Sequence, residues 1–168
     1  MPERETIERA REDEREGKSP STQAGEFVRE EFHHIREGKH GARSARQAIA
    51  IGLSKARRAG VRLKAPRSGR FSAKVRRQAE RDYERGRKKE QGTATPVSER
   101  RSRIVMGILK QEGHRAGSAR AISQQTRRAS QRRTPSERSG AARKAVRTKG
   151  HAVLSAAARK AARTRAGS

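Results

Sequence analysis

Apolar residues recur at helical spacing in short stretches, punctuated by glycine and proline, and almost nowhere alternate as strands do. Residues 3–16 form a charged first stretch in which only Ile7 and Ala10 are apolar; Gly17 stops it and Pro20 sets it apart. The pairs Arg4–Glu8 and Glu5–Arg9 contribute about 0.2–0.5 kcal/mol each, so this helix is marginal on its own. Across residues 21–37, Ala24, Phe27, Val28, Phe32 and Ile35 share one stripe, and Gly38 supplies the stop. After the loop Lys39–Arg43, Ser44 caps a second helix that runs to Ala59 and ends at Gly60. Its inward stripe reads Ala45, Ile49, Gly52, Leu53, Ala56 and Ala59. Glycine inside a helix costs about 1 kcal/mol relative to alanine, which tight packing at Gly52 would offset. Ile51 points outward, which leaves two readings: packing beneath Val61 and Leu63, or weak self-association with a second copy.

Farther along, Pro66–Gly69 reads as a turn, and Ser72 caps a helix to Arg85 with Val75, Ala79 and Tyr83 on one stripe. Gly92–Pro96 reads as a linker. Ser98 then opens a helix through Gln111 carrying Ile104, Val105, Ile108 and Leu109, the densest apolar cluster in the chain. A partial repeat follows: the run from Glu37 to Ile49 is echoed from Glu112 to Ile122, each time Glu-Gly, a basic loop with histidine, then Ser-Ala-Arg opening a helix. Near the C-terminus, Ala141–Lys149 recurs as Ala157–Arg165. Alanine, arginine and lysine favour helix, yet almost nothing there can bury a face, so the tail is expected to be disordered when free and to gain helix on phosphates.

The expected fold is therefore all-α, built from small helical hairpin units joined by basic linkers, with substantial disorder. Its parts are a charged leader helix (1–20), a helical hairpin module (21–65) and a basic helix with linkers (66–97). A second, weaker helix–loop–helix unit (98–130) and a low-complexity basic tail (131–168) complete it. Composition agrees: Leu, Ile, Val and Phe number only 21 of 168 residues, with a single Tyr and no Trp, too few for one large core.

Charge sharpens the picture. Residues 1–37 hold 11 acidic against 7 basic side chains, whereas Lys39–Ala79 holds 13 basic residues and no acid. The whole chain carries a formal net charge of +26. A run of that sign repels itself unless a polyanion neutralises it. Of the 44 basic residues 33 are arginine, whose planar fork grips phosphate oxygens in pairs.

The segments Ser21–Glu31, Ile35–Ser44 and Gln47–Val61 together resemble a family of small basic bacterial proteins, a domain of unknown function whose members are sometimes labelled DNA-binding or plasmid stabilisation proteins. The likeness covers about residues 1–64. It implies a bacterial origin and carries no active-site residues. The tail is similar in composition to the Ala/Lys-rich tails of linker histones.

The resulting expectation is a non-enzymatic protein that binds duplex DNA with little sequence preference, in a nucleoid-associated or plasmid-maintenance role. In the hairpin module the expected phosphate contacts are Lys39, Arg43, Arg46, Lys55, Arg57, Arg58, Arg62 and Lys64. In the tail they are Arg143, Lys144, Arg147, Lys149, Arg159, Lys160, Arg163 and Arg165. Gln47, Ser54 and Arg58, flanked by Arg46 and Arg57, read as the face that lies against the duplex. Structured RNA is the first alternative, with Phe71 and Tyr83 as a candidate stacking pair. A stress-related interaction protein whose tail engages acidic partners or anionic lipid is the second. The leader acids Glu12, Asp13, Glu14 and Glu16 are candidates to fold back and compete with phosphates. Without cysteine, thiolate zinc sites and disulfides are excluded. Around His33, His34, His40, His114 and His151 no carboxylate spacing suggests a metal cage, so no metal or cofactor is expected. No apolar run approaches a membrane span, which points to a soluble cytoplasmic protein.

Overall fold

The computed structural model describes residues 2–66, 69, 71–93 and 98–167. It is all-α: α1 (Arg4–Arg15), α2 (Pro20–Arg36), α3 (Ala45–Arg58), α4 (Ala73–Glu90), α5 (Glu99–Gln111), a single 3-10 turn (His114–Gly117), α6 (Ala119–Gln131), α7 (Pro135–Lys149) and α8 (His151–Ala166). The chain divides into two compact units, one ending at Ser123 and the other beginning at Gln124. The turn expected at Pro66–Gly69 and the linker at Gly92–Pro96 lie in part outside the described residues.

In the first unit α2 is the central element, because its apolar stripe is the widest available. Phe27 and Ile35 are fully buried, on two separate clusters. One cluster gathers Phe32 and Ile35 with Ala42, Ala45, Ala48 and Ala116. The other gathers Phe27 with Ala10, Ala24, Ala56 and Val61. Burying one such phenylalanine is worth about 1.5–3 kcal/mol, and most of the remaining contacts come from alanine. Small side chains make that useful by letting backbones approach. A Cβ placed on Gly52 would lie 2.7 Å from Val28 Cα, so the interior glycine of α3 serves tight packing on α2. Ser44 caps α3 by accepting from the Gln47 N–H at 3.2 Å, while the Gln47 amide oxygen accepts from the Arg43 N–H at 2.9 Å.

The leader is part of this unit. Pro20 occupies the first turn of α2, where a missing N–H costs nothing, and α1 folds back along α2. Thr6, Ala10 and Asp13 are buried, and Arg9 Nε lies 2.8 Å from Glu26 Oε2. Of its acids Glu3 reaches the first cation of the basic run, Lys39, at 3.0 Å, whereas three of the four candidates to compete with phosphates are paired locally. Glu12 pairs with Arg15, while Asp13 and Glu16 hold Lys18 Nζ at 2.8 and 2.6 Å.

The internal repeat has a structural counterpart. Both copies pass from a helix end through a tight loop into a helix capped by serine, with Ser118 accepting from the Ala121 N–H at 3.2 Å. The two loops dock on each other's approaches. Gly41 donates its N–H to Leu109 O at 2.8 Å, and Ala42 donates to Gly113 O at 3.1 Å. In the other direction Arg36 Nε donates to Gly117 O at 2.9 Å, and a Cβ on Gly117 would lie 2.9 Å from Ile35 Cγ2. Instead of a separate weaker unit, the second copy through Ser123 belongs to the same compact unit as the first.

Of the dense apolar cluster in α5 only Leu109 is buried; Ile104, Val105, Met106 and Ile108 are exposed. Within the hairpin module the returning segment packs: Val61 is buried and Leu63 covers the same cluster, which does not include the half-buried Ile51. The tail, expected to be disordered when free, is helical. Thr134 and Glu137 form a reciprocal capping box at the start of α7, Gly150 joins it to α8 at φ 77°, and the Ala/Arg/Lys sequence propagates both helices without a buried face.

Candidate nucleic-acid interface

The face of α3 read as lying against a duplex is the seat of α4. Ser54 donates its hydroxyl to Asp82, which is 6% exposed. Arg58 Nε lies 3.6 Å from the same carboxylate, and Gln78 donates to it at 3.2 Å. Arg57 is also turned inward. It is 8% exposed, its Nε donates to Leu63 O at 3.0 Å, and burial lowers its pKa from the usual arginine value. Its guanidinium clips the returning segment to α3. Small polar side chains permit close approach by any partner, and here the partner is intramolecular.

Two further expected contacts are occupied. Lys55 is largely buried, with Nζ 2.6 Å from Glu31 Oε2 and 3.5 Å from Glu30 Oε1. Lys39 is half exposed and sits 3.0 Å from both Glu37 and Glu3. The hydrogen bonds to Glu37 and Glu3 raise its pKa above the ordinary lysine value. On the other side of the contact, hydrogen bonds from His34 first and Lys39 second hold the Glu3 carboxyl down at about 2.

Arg43, Arg46, Arg62 and Lys64 do stay exposed. Arg43 lies near Glu112, with 3.7 Å between Nε and Oε1. Arg62 shares a cleft with Tyr83, Arg87 and Glu90, so Tyr83 lies among arginines while Phe71 stands exposed ahead of α4. In the second unit every expected residue is exposed: Arg143, Lys144, Arg147 and Lys149 on α7, and Arg159, Lys160, Arg163 and Arg165 on α8.

The most regular basic feature lies on α4. Its buried residues are Ala79, Asp82 and Gly86. On the far side, Lys74, Arg77, Arg81, Arg85 and Lys88 follow one another at intervals of three or four residues and so share one face. Four of the five are exposed and Arg85 is partly so. Glu84, three residues after Arg81 and four before Lys88, stands beside the row and pairs with Arg87 at 3.1 Å; the row spans about 21 Å at 1.5 Å per residue. The signal was in the sequence, as a basic period of three to four. It becomes meaningful only once the inner face of α4 is known.

The structure also assembles a polar cluster that spacing along the chain does not reveal. The loop after α2 returns His40 to the helix, so that Glu31, His34 and His40 each bring a ligand-type atom within 4.8 Å of the others. All three are buried. Sequence spacing suggests no metal cage around the histidines, and His40 joins Glu31 only in three dimensions: the two are nine residues apart, and the turn at Gly38, with φ 74°, brings them together. His33, one residue from His34, faces solvent and pairs with Glu37. No protein-family model matches the chain, and no curated protein or solved structure matches it either.

Proposed function

We propose that this protein is a non-enzymatic, sequence-tolerant binder of duplex DNA that acts by neutralising phosphates, consistent with a nucleoid-associated or plasmid-maintenance role. The observation that carries the reading is the row of five cations on the outer side of α4, beside which the acid Glu84 stands paired with Arg87. A straight row of five cations on a helix anchored through its opposite side presents charge at fixed spacing. Each phosphate it neutralises releases condensed counterions, so the affinity is largely sequence-independent and falls with salt. Arg43, Arg46, Arg62 and Lys64 extend the basic surface of the first unit. The exposed cations of α7 and α8 add affinity or bridge duplexes.

The excess of arginine over lysine supports the same reading. The test is titration of a fluorescent duplex with the full chain at several salt concentrations, with ribosomal RNA as competitor. Log affinity is expected to fall linearly with log salt at about −0.9 per phosphate contacted, and RNA to displace the duplex only weakly. Affinity indifferent to salt, or displacement by RNA at equal mass, overturns the proposal.

A further inference from the structure

The polar cluster at the start of the first loop is wired as a cation site. Glu31 is completely buried, and neither of its carboxylate oxygens accepts a hydrogen bond among the described residues. Lys55 Nζ neutralises the Oε2 side as an ion pair at 2.6 Å. Oε1 is turned toward His40 Nε2, 3.4 Å away. The other nitrogen of that ring, Nδ1, lies 3.1 Å from Gly41 O. A carbonyl can only accept, so Nδ1 carries the proton, and in the neutral ring Nε2 offers a lone pair to the carboxylate.

His34 repeats the arrangement. Its Nε2 lies 2.7 Å from Glu3 Oε1, and an ionised carboxylate likewise only accepts. That leaves His34 Nδ1 facing inward, 3.9 Å from Glu30 Oε1. Each histidine is thus held from outside by an acceptor, and each turns its second nitrogen toward a buried carboxylate. Lys55 serves Glu30 Oε1 and Glu31 Oε2, which leaves Glu31 Oε1 and the inward nitrogens of the two histidines, all within 4.8 Å of one another, as acceptors that repel unless a cation sits between. Histidine ligands to metals show the same outer hydrogen bond to a carboxylate or carbonyl, which fixes the tautomer and the ring plane.

We propose that Glu31, His34 and His40 form a binding site for a divalent transition-metal ion of the zinc type, with water as fourth ligand. Two imidazoles and one carboxylate are a donor set that zinc accepts. One pair already has the spacing of that choice: ligands at about 2.1 Å in a tetrahedron stand about 3.4 Å apart, as His40 Nε2 and Glu31 Oε1 do, and all three donor atoms lie within 4.8 Å of one another. Lys55 on the second oxygen restricts Glu31 to single-oxygen coordination. The role is structural. The ion joins α2 to the loop that docks on Glu112 and Gly113, and through the Glu3–His34 contact it also secures the start of α1.

The test uses the full chain, stripped with a chelator and titrated with zinc chloride alone. Calorimetry is expected to give one ion per chain and the melting temperature to rise with added zinc. Cobalt(II) in place of zinc is expected to give the intense visible absorption of a four-coordinate ion. In the unaltered protein, ring nitrogen resonances of His34 and His40 are expected to shift on zinc addition, at Nδ1 and Nε2 respectively, while those of His33, His114 and His151 stay in place. This readout needs no variant and therefore does not depend on any variant folding. The variant His33→Ala is expected to keep the affinity, and Glu3→Gln, which weakens the outer hydrogen bond on His34, to lower it about 10–100-fold. Absence of one-to-one binding, a six-coordinate cobalt spectrum, or shifts confined to the exposed histidines would each overturn the site. Protonation of both rings without metal uptake would overturn it equally.

Discussion

Gly86 of α4 rests directly on the backbone of Arg57 in α3: a Cβ placed on the glycine would lie 1.9 Å from the Arg57 carbonyl oxygen. The contact is backbone on backbone, so no side chain can swing aside to admit a methyl group. Gly86→Ala is therefore expected to push α4 off its seat and destabilise the first unit by about 1–3 kcal/mol, the usual cost of overpacking. Gly25, inside α2 with nothing within 4 Å of a would-be Cβ, is the matched control. Gly25→Ala is expected to stabilise by up to about 1 kcal/mol through helix propensity. Urea unfolding of the two variants reads both; equal effects would contradict the packing.

Arg57 separates structural from functional charge. Its guanidinium is buried and engages Leu63 O and, at 3.5 Å, Leu53 O. Arg57→Met is expected to lower stability by about 1–3 kcal/mol, since it leaves the Leu63 carbonyl without its charged donor. The salt slope of DNA binding by the folded variant is expected to stay unchanged. Arg46→Gln, on the exposed side, is expected to leave stability unchanged. A changed slope for Arg57→Met would return it to the interface.

Helix positions in the first unit were legible because their signals are local. The stops at Gly17, Gly38 and Gly60 all take positive φ, and the caps at Ser44 and Ser72 accept the expected backbone N–H groups. Which face of each helix turns inward was less legible. On α3 the row of Ser54, Arg57 and Arg58 has the polarity of a solvated face, and only Asp82, from a helix 28 residues later, shows that it is covered. The apolar density of α5 is the converse case, with Leu109 buried and its apolar neighbours exposed, since periodicity reports that a face is apolar and not that a partner exists. The cluster around Glu31 was only partly legible for a third reason: Glu31 and His34 stand three residues apart on α2, but a loop brings His40 to them, and loops have no period to read.

The Glu31–Lys55 pair is a buried ion pair with one side committed. Glu31 is fully buried and the Lys55 side chain only 15% exposed. Breaking such a pair from one side strands a charge, at about 3–5 kcal/mol, whereas removing both ends costs far less. In the presence of chelator, Lys55→Met is expected to destabilise strongly, and Glu31→Gln/Lys55→Met to recover most of the loss. A double-mutant cycle in urea measures the coupling. Additive effects would show that Lys55 does not neutralise Glu31.

The row on α4 and the tail make different contributions to binding, and charge substitution can separate them. Lys74, Arg77, Arg81 and Lys88 project from a helix held against α3 by Ala79, Asp82 and Gly86. Their spacing is fixed before DNA arrives. Neutralising all four with glutamine, which retains helix propensity, is expected to leave the fold intact. If all four contact phosphates, the salt slope should become shallower by roughly 3–4, at about 0.9 per contact. The matched set Arg143, Arg147, Arg159 and Arg163→Gln removes the same charge from α7 and α8, which bury no residue. Equal losses from the two sets would mean that only net charge matters. A larger slope change from the α4 set is expected, because a helix braced along its opposite face has less conformational freedom to lose when each phosphate is engaged.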